Sequence, residues 1–288
     1  MSLIVIAAAL SGACLQANLF LPNMISTDGA HEGLDWISEE GDALIFTRVA
    51  PDFSVSSVYS AVVEGDEWAI EKTSFSTGPY DAGVAFSADH ESALFTSTRQ
   101  SDVTPEGNWN IWRVSAALEG HAWRFGEAEY LSEPINSDKN DCCAVFGRNG
   151  EIFFSSDRDG QWNLYRATID GNGYVVEKMK GRINTTDGAW PSAYIGETDT
   201  LLFSSIRKSG AGGDDIYVST RRDGEWSDAR ILGEPVNKSG YEDGARLFHG
   251  EFYWSSRPAR ASAQDAQVNS GIYHLPAACV AGDVFKLE

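Results

Sequence analysis

One motif, repeated five times, constrains this chain more than any other feature. A short hydrophobic strand runs into Ser or Thr and then Arg at Ile45-Phe46-Thr47-Arg48, Leu94-Phe95-Thr96-Ser97-Thr98-Arg99, Phe153-Phe154-Ser155-Ser156-Asp157-Arg158, Leu202-Phe203-Ser204-Ser205-Ile206-Arg207 and Tyr253-Trp254-Ser255-Ser256-Arg257. Successive arginines lie about fifty residues apart, the period of a propeller blade. Each copy then continues in one order. A third strand carries a small or polar residue, an aliphatic and an aromatic: Ser57-Val58-Tyr59, Asn110-Ile111-Trp112, Asn163-Leu164-Tyr165, Asp215-Ile216-Tyr217 and Gly271-Ile272-Tyr273. In four copies a Gly-containing turn and an aromatic follow, as in Asp223-Gly224-Glu225-Trp226, and open a fourth strand. The unit closes on a loop such as Pro134-Ile135-Asn136-Ser137, where an Asn amide can fold back on the chain. Four strands per unit predict an all-β fold, a β-propeller of about five four-stranded blades, with six as the alternative count.

Turns and ends agree with that reading. Asn149-Gly150 and His249-Gly250 precede two of the motif strands and suit type I′ hairpins, whose central positions both need positive φ. Pro22-Asn23-Met24-Ile25-Ser26-Thr27 looks like a blade-closing loop with no blade before it, and the fifth unit fades after Tyr273. Leu19-Phe20-Leu21 is therefore expected to supply the last blade's outer strand, which removes open edges. With 42% hydrophobic residues, nine Trp, ten Tyr, fourteen Phe and 28 Gly, the composition is that of a β protein. A formal net charge of −20 argues against nucleic acid and anionic membrane surfaces as partners, because both demand cationic patches.

The first residues read as an export signal. No charge occurs from Met1 to Ala13, and the apolar run Leu3 to Leu10 is too short to span a bilayer. Residues 1–17 are expected to be a signal peptide, cleaved after Ala17, or residues 1–13 a lipoprotein signal that leaves Cys14 to carry a lipid. Residues 18–288 then form a single propeller domain, exported and either periplasmic or attached to the cell envelope. No later segment is long and apolar enough for a transmembrane helix.

The repeats resemble the WD40-like Pro-Asp (PD40) repeats of the TolB type, above all at Phe203-Ser204-Ser205-Ile206-Arg207-Lys208-Ser209-Gly210-Ala211-Gly212-Gly213-Asp214-Asp215-Ile216-Tyr217-Val218-Ser219. The resemblance implies a propeller with a binding or scaffold role in the envelope. Every repeat departs from that family's Ser-Pro-Asp-Gly turn; Ser38-Glu39-Glu40-Gly41 and Ser87-Ala88-Asp89-His90 stand there instead. The peptidoglycan-binding domain that some relatives carry has no counterpart in this sequence, so that activity is not carried over.

Candidate chemistry gathers near one mouth of the central channel. Counting back across each innermost hairpin, Asp141 should face Arg158 and Glu242 should face Arg257, while Glu32 and Asp81 fall within a residue of Arg48 and Arg99. These are expected to be either intrablade ion pairs or a polar ring that recognises a ligand. Blade four breaks the pattern, with Ala189-Trp190-Pro191 in the acidic position, so Arg207 lacks an obvious partner and a site for a sugar or carboxylate is expected beside Trp190. The expected ligand-binding set is thus Glu32, Asp81, Asp141, Trp190, Arg207 and Glu242. Cys142-Cys143 reads as two buried thiols, as a vicinal disulfide, or as a partner for Cys279, and its spacing makes no zinc motif. His31, His90, His121, His249 and His274 do not cluster. Gly210-Ala211-Gly212-Gly213 joins two strands as a connecting loop, and Asp214-Asp215 alone is a weak calcium signal.

No nucleophile elbow, Walker loop, dinucleotide fingerprint or zincin helix occurs, and no cofactor or metal is implied. The leading expectation is a non-enzymatic binding or scaffold module that holds an envelope protein, a glycan or a small ligand. Two alternatives are a glycosidase-like enzyme and a metal-dependent lactonase-like hydrolase, both using the channel carboxylates. Against the first, an adjacent Arg lowers a carboxylate's pKa and spoils it as a general acid.

Overall fold

Runs such as Leu44-Ile45-Phe46, Phe153-Phe154 and Leu201-Leu202-Phe203 are apolar at consecutive positions, so both faces of each strand must be covered. The computed structural model, which describes residues 14, 16–27, 29–101, 107–171, 173–257 and 271–280, shows how. Its strands form five antiparallel blades. Blade one comprises β2 (His31–Ile37), β3 (Ala43–Val49), β4 (Ser56–Glu64) and β5 (Glu67–Lys72). Blade two holds β6 (Asp81–Phe86), β7 (Ser92–Ser97), β8 (Asn110–Glu119) and β9 (Ala122–Tyr130). Blade three holds β10 (Asp141–Phe146), β11 (Ile152–Ser156), β12 (Asn163–Asp170) and β13 (Gly173–Lys178). In blade four, β14 (Ala189–Ile195), β15 (Thr200–Ser205) and β16 (Asp215–Arg222) are followed by an outer strand split into β17 (Glu225–Trp226) and β18 (Arg230–Ile231). Blade five is β19 (Tyr241–Phe248), β20 (Glu251–Arg257) and β21 (Gly271–Pro276), with β1 (Asn18–Leu19) as its outer strand.

The ring closes where the sequence places the seam. Among the described residues, Asn18 and Leu19 pair with β21, opposite His274 and Tyr273, and the Phe20 amide donates to the Ile272 carbonyl. At a net gain of about 1 kcal/mol per hydrogen bond, so short a strand adds little. The seam is held instead by the core beneath it, where Ile25, Leu34, Leu44 and Phe46 pack on Tyr253 and Ile272, each large apolar side chain contributing roughly 2 kcal/mol on burial. A disulfide from Cys14 to Cys279 clips the two ends together. Four further clusters fill the other gaps between neighbouring blades.

The expected turns are present, with positive φ at Asn149, Gly150, His249 and Gly250. The closing-loop asparagines reach further than a local fold-back. Asn136 accepts from the Ile111 amide and donates to the Ile111 and Leu131 carbonyls, and Asn184 and Asn237 do the same for Leu164 and Ile216. Each amide thus completes the third strand's ladder where the outer strand has ended. Residues 1–13, and with them the signal-peptide reading, lie outside the described residues. Among those described, no helix is long and apolar enough to cross a membrane.

Candidate functional site

Every innermost strand is irregular at the same level. The first-to-second strand register slips between Leu34 and Trp36, Ala82 and Ala85, Cys142 and Val145, Pro191 and Ala193, and Asp243 and Arg246. A bulge re-aims the side chains beyond it, and here it turns Asp35, Cys143, Ser192 and Arg246 toward the channel. Arg246 spans that channel. From blade five it donates to the Ser192 carbonyl of blade four and the Val84 carbonyl of blade two, and it stands 3.4 Å from the Asp35 carboxylate of blade one. Asp35 also accepts from Thr47 Oγ1 at 2.7 Å and the Val84 amide at 3.0 Å. Burial nevertheless pushes its pKa up to about 6, against the pull of Arg246. This pair lines a cavity at each end of the channel, one of about 480 Å³ and one of about 440 Å³.

The smaller cavity lies at the mouth where the innermost strands begin. One wall is a row of rings from blades two, three and four: Tyr80 to Trp109 at 5.8 Å, Trp109 to Trp162 at 6.0 Å and Trp162 to Trp190 at 6.1 Å between centroids. Facing it are His31 stacked on Phe53, and Tyr241. Between the walls lie Asp214, Asp243 and Arg257. Burial raises Asp214, reinforced by Asp243 and opposed by Arg257, to about 6; Asp243 is raised by burial against Arg257 and Arg246.

The structure sorts the expected site residues differently from the sequence. Only Glu32 and Trp190 line this cavity. Asp81 and Asp141 are fully buried: Asp81 takes Arg99 at 2.8 Å and the Gly78 amide, while Asp141 takes Arg158 at 2.7 Å and Ser137. The registers place Ser97 and Ser156 opposite them, so the arginines reach back to make these bonds. Glu32 bonds Arg48 at 3.2 Å and Thr27 at 2.6 Å, with burial holding its carboxyl above the usual range. Glu242 is not paired with Arg257. Among the described residues it is held by Ser256 and the Lys238 amide, and burial lifts it to about 7.

Arg207 corrects the expectation built on it. Its guanidinium lies over the Phe203 and Tyr217 rings and donates to the Arg182 and Ile183 carbonyls of the preceding closing loop, away from Trp190 and the cavity lining. Arg158 has the same surroundings, over Phe154 and Tyr165 with the Pro134 and Ile135 carbonyls, and Arg48 and Arg99 match it. The blade that abandons the rule is the fifth, where Arg257 sits over Phe53 and Tyr241 and 3.6 Å from Asp214.

Of the three cysteine readings, free thiols hold at Cys142 and Cys143, while Cys279 takes a different partner. Cys142 and Cys143 are free thiols with sulfurs 3.3 Å apart; positive φ at Cys143 turns that side chain to the cavity while Cys142 stays in the core. Cys279 bonds Cys14, and a thiol so used cannot carry a lipid. Asp214 and Asp215 diverge, since Asp215 accepts from the Ala211 and Gly212 amides while Asp214 lines the cavity. At Gly213 a Cβ would strike the Tyr241 ring, which accounts for one glycine of that loop. Among the described residues, no three His, Cys, Asp or Glu side chains converge as metal ligands. The sequence reading missed Trp109 and Trp162, although Trp-Asn opens the third strand in two consecutive blades and marks them.

No family model matches the chain, and no curated protein does. Solved structures show the fold. An endo-arabinase from Bacteroides thetaiotaomicron superposes with a TM-score of 0.53 at 12% identity over 90% of this chain and 97% of that one. The chain is a five-bladed β-propeller. TolB from Acinetobacter baumannii matches 85% of the chain at 15% identity with a TM-score of 0.45, over 53% of its own length. A Trypanosoma rangeli sialidase matches 86% at 10% identity and 0.48, over 55% of its length.

Proposed function

We propose that this chain is an exported binding propeller of the cell envelope that holds a glycan at the smaller channel cavity without turning it over. The observation that carries this reading is the row of rings from Tyr80 to Trp190. Aromatic faces spaced about 6 Å apart along the wall of an open cavity match the apolar faces of successive sugar rings. The uncharged apolar N-terminus supports export. The test is intrinsic tryptophan fluorescence of the purified chain titrated with envelope and plant oligosaccharides. Saturable quenching that disappears in Trp162→Ala supports the reading, and an unchanged titration in that variant rejects it.

A hydrolytic reading draws on a separate observation, the two carboxylates Asp214 and Asp243 in the same cavity, both held above the ordinary range. A glycosidase needs one such acid beside a second carboxylate. Polysaccharide turnover that is lost in Asp243→Asn would favour it over binding alone.

A further inference from the structure

Four of the five motif arginines are locked in place. Arg48, Arg99, Arg158 and Arg207 each lie over two rings of their own blade and donate to the carbonyls of a blade-closing loop. Arg257 has left that place. It lies 5.0 Å from the centroid of Phe53, a blade-one loop residue, and 4.6 Å from that of Tyr241, lining the cavity. Its Nε is buried and has no hydrogen-bond partner among the described residues. The acid expected opposite, Glu242, stays behind without a guanidinium.

What surrounds Arg257 is equally unfinished. Asp214 stands 3.6 Å away, beyond a direct hydrogen bond, and no donor from the described residues reaches the carboxylate of Asp214 or Asp243. Between its two aromatic walls the cavity thus presents a guanidinium with donors to offer and two carboxylates with lone pairs to fill.

We propose, building on the glycan reading above, that Arg257, Asp214 and Asp243 are the specificity-determining residues of this cavity and select neutral sugars with vicinal hydroxyls over acidic sugars. A hydroxyl donates and accepts at once, so adjacent hydroxyls can take hydrogen bonds from the guanidinium while giving them to the carboxylates. An acidic sugar brings its charge against two carboxylates. With Arg257 already 3.6 Å from Asp214, a third carboxylate gains little from the guanidinium and meets two partly desolvated groups of like sign, which makes rejection strong. The rings hold Arg257 in a fixed plane, so the edge it offers is set before the ligand arrives.

The test titrates the full chain, by tryptophan fluorescence, with cellohexaose, arabinohexaose and hexagalacturonate. At least one neutral hexamer should bind, with hexagalacturonate weaker by about tenfold or more. Arg257→Ala and Asp243→Ala should each weaken the neutral hexamer by about tenfold while circular dichroism and melting stay those of a folded propeller. Tighter binding of hexagalacturonate overturns the proposal. So does neutral binding that is lost in Trp162→Ala yet unchanged in Arg257→Ala and Asp243→Ala, an outcome that leaves the glycan reading standing. Silence toward all three probes rejects both.

Discussion

Arg246 on the last blade and Asp35 on the first meet across the channel axis at 3.4 Å, both almost wholly buried, and together they close the ring from inside. Neither residue belongs to the repeated motif. Removing one member of a buried pair leaves the other's charge uncompensated at a cost of about 3 kcal/mol. Arg246→Met should therefore lose about that much in urea unfolding, and adding Asp35→Asn should restore much of it because no charge is then stranded. A single variant as stable as the parent would show that Thr47 and the Val84 amide satisfy Asp35 unaided.

The arginine repeats give a comparison within one molecule. Arg207→Ala should destabilise the protein by about 2 kcal/mol, nearly as much as Arg158→Ala, since both lose charged hydrogen bonds to loop carbonyls and contact with two rings. Arg257→Ala should cost less than about 1 kcal/mol, because that guanidinium fills no loop. Thermal melts of the three side by side decide it. A cheap Arg207→Ala with a costly Arg257→Ala would reverse the assignment of structural and ligand-facing roles.

These contrasts mark how far the sequence could be read. Blade number, strand order, the I′ turns and the seam were legible because each rests on local chemistry repeated five times. Three acid–arginine pairs were legible too, since long guanidinium side chains tolerate an error in register. The channel floor was not. One extra residue in an innermost strand reverses which side chains face inward, and nothing local to Asp35, Cys143, Ser192 or Arg246 announces it. Arg257 follows its Ser-Ser one residue sooner than Arg158 and Arg207 follow theirs, a spacing difference that the sequence prints, but that it would lie over Phe53 and Tyr241 is a matter of tertiary position.

Stability should rise on mild acidification. Asp35, Asp214 and Glu242 are raised by burial to about 6, 6 and 7, so between those values and the ordinary carboxylate range the folded chain binds protons that the unfolded chain has lost. Stability from such groups is complete below the unfolded values and fades as pH climbs through 6 to 7. Glu151 and Asp199 work the other way. Burial opposes their ionisation, but hydrogen bonds from Arg221, joined by Arg166 at Glu151 and Tyr194 at Asp199, hold both low, so their contribution survives until pH falls past the ordinary range. The melting temperature should therefore peak near about pH 5 and drop by pH 7.5, and Glu242→Gln should flatten that drop. A melting temperature that climbs from about pH 5 to 7.5 would contradict the burial of these carboxylates.

The last prediction concerns the seam. Cys14 can bond Cys279 or carry a lipid, and cleavage after Ala17 would remove it altogether, so the three fates exclude one another. The bond closes a loop of 265 residues, long enough for cross-linking to remove several kcal/mol of unfolded-state entropy on the chain-entropy view. It also ties down a two-residue strand that its own hydrogen bonds hold weakly. Non-reducing peptide mapping of the protein isolated from envelopes should recover Cys14 and Cys279 in one linked fragment, with Cys142 and Cys143 alkylated as free thiols. Cys279→Ser should then lower the melting temperature without altering the spectrum of the folded state. A diacylglyceryl group on Cys14, or a mature chain beginning at Asn18 with Cys279 free, would return the N-terminus to a lipid anchor or a cleaved signal and leave β1 to close the ring alone.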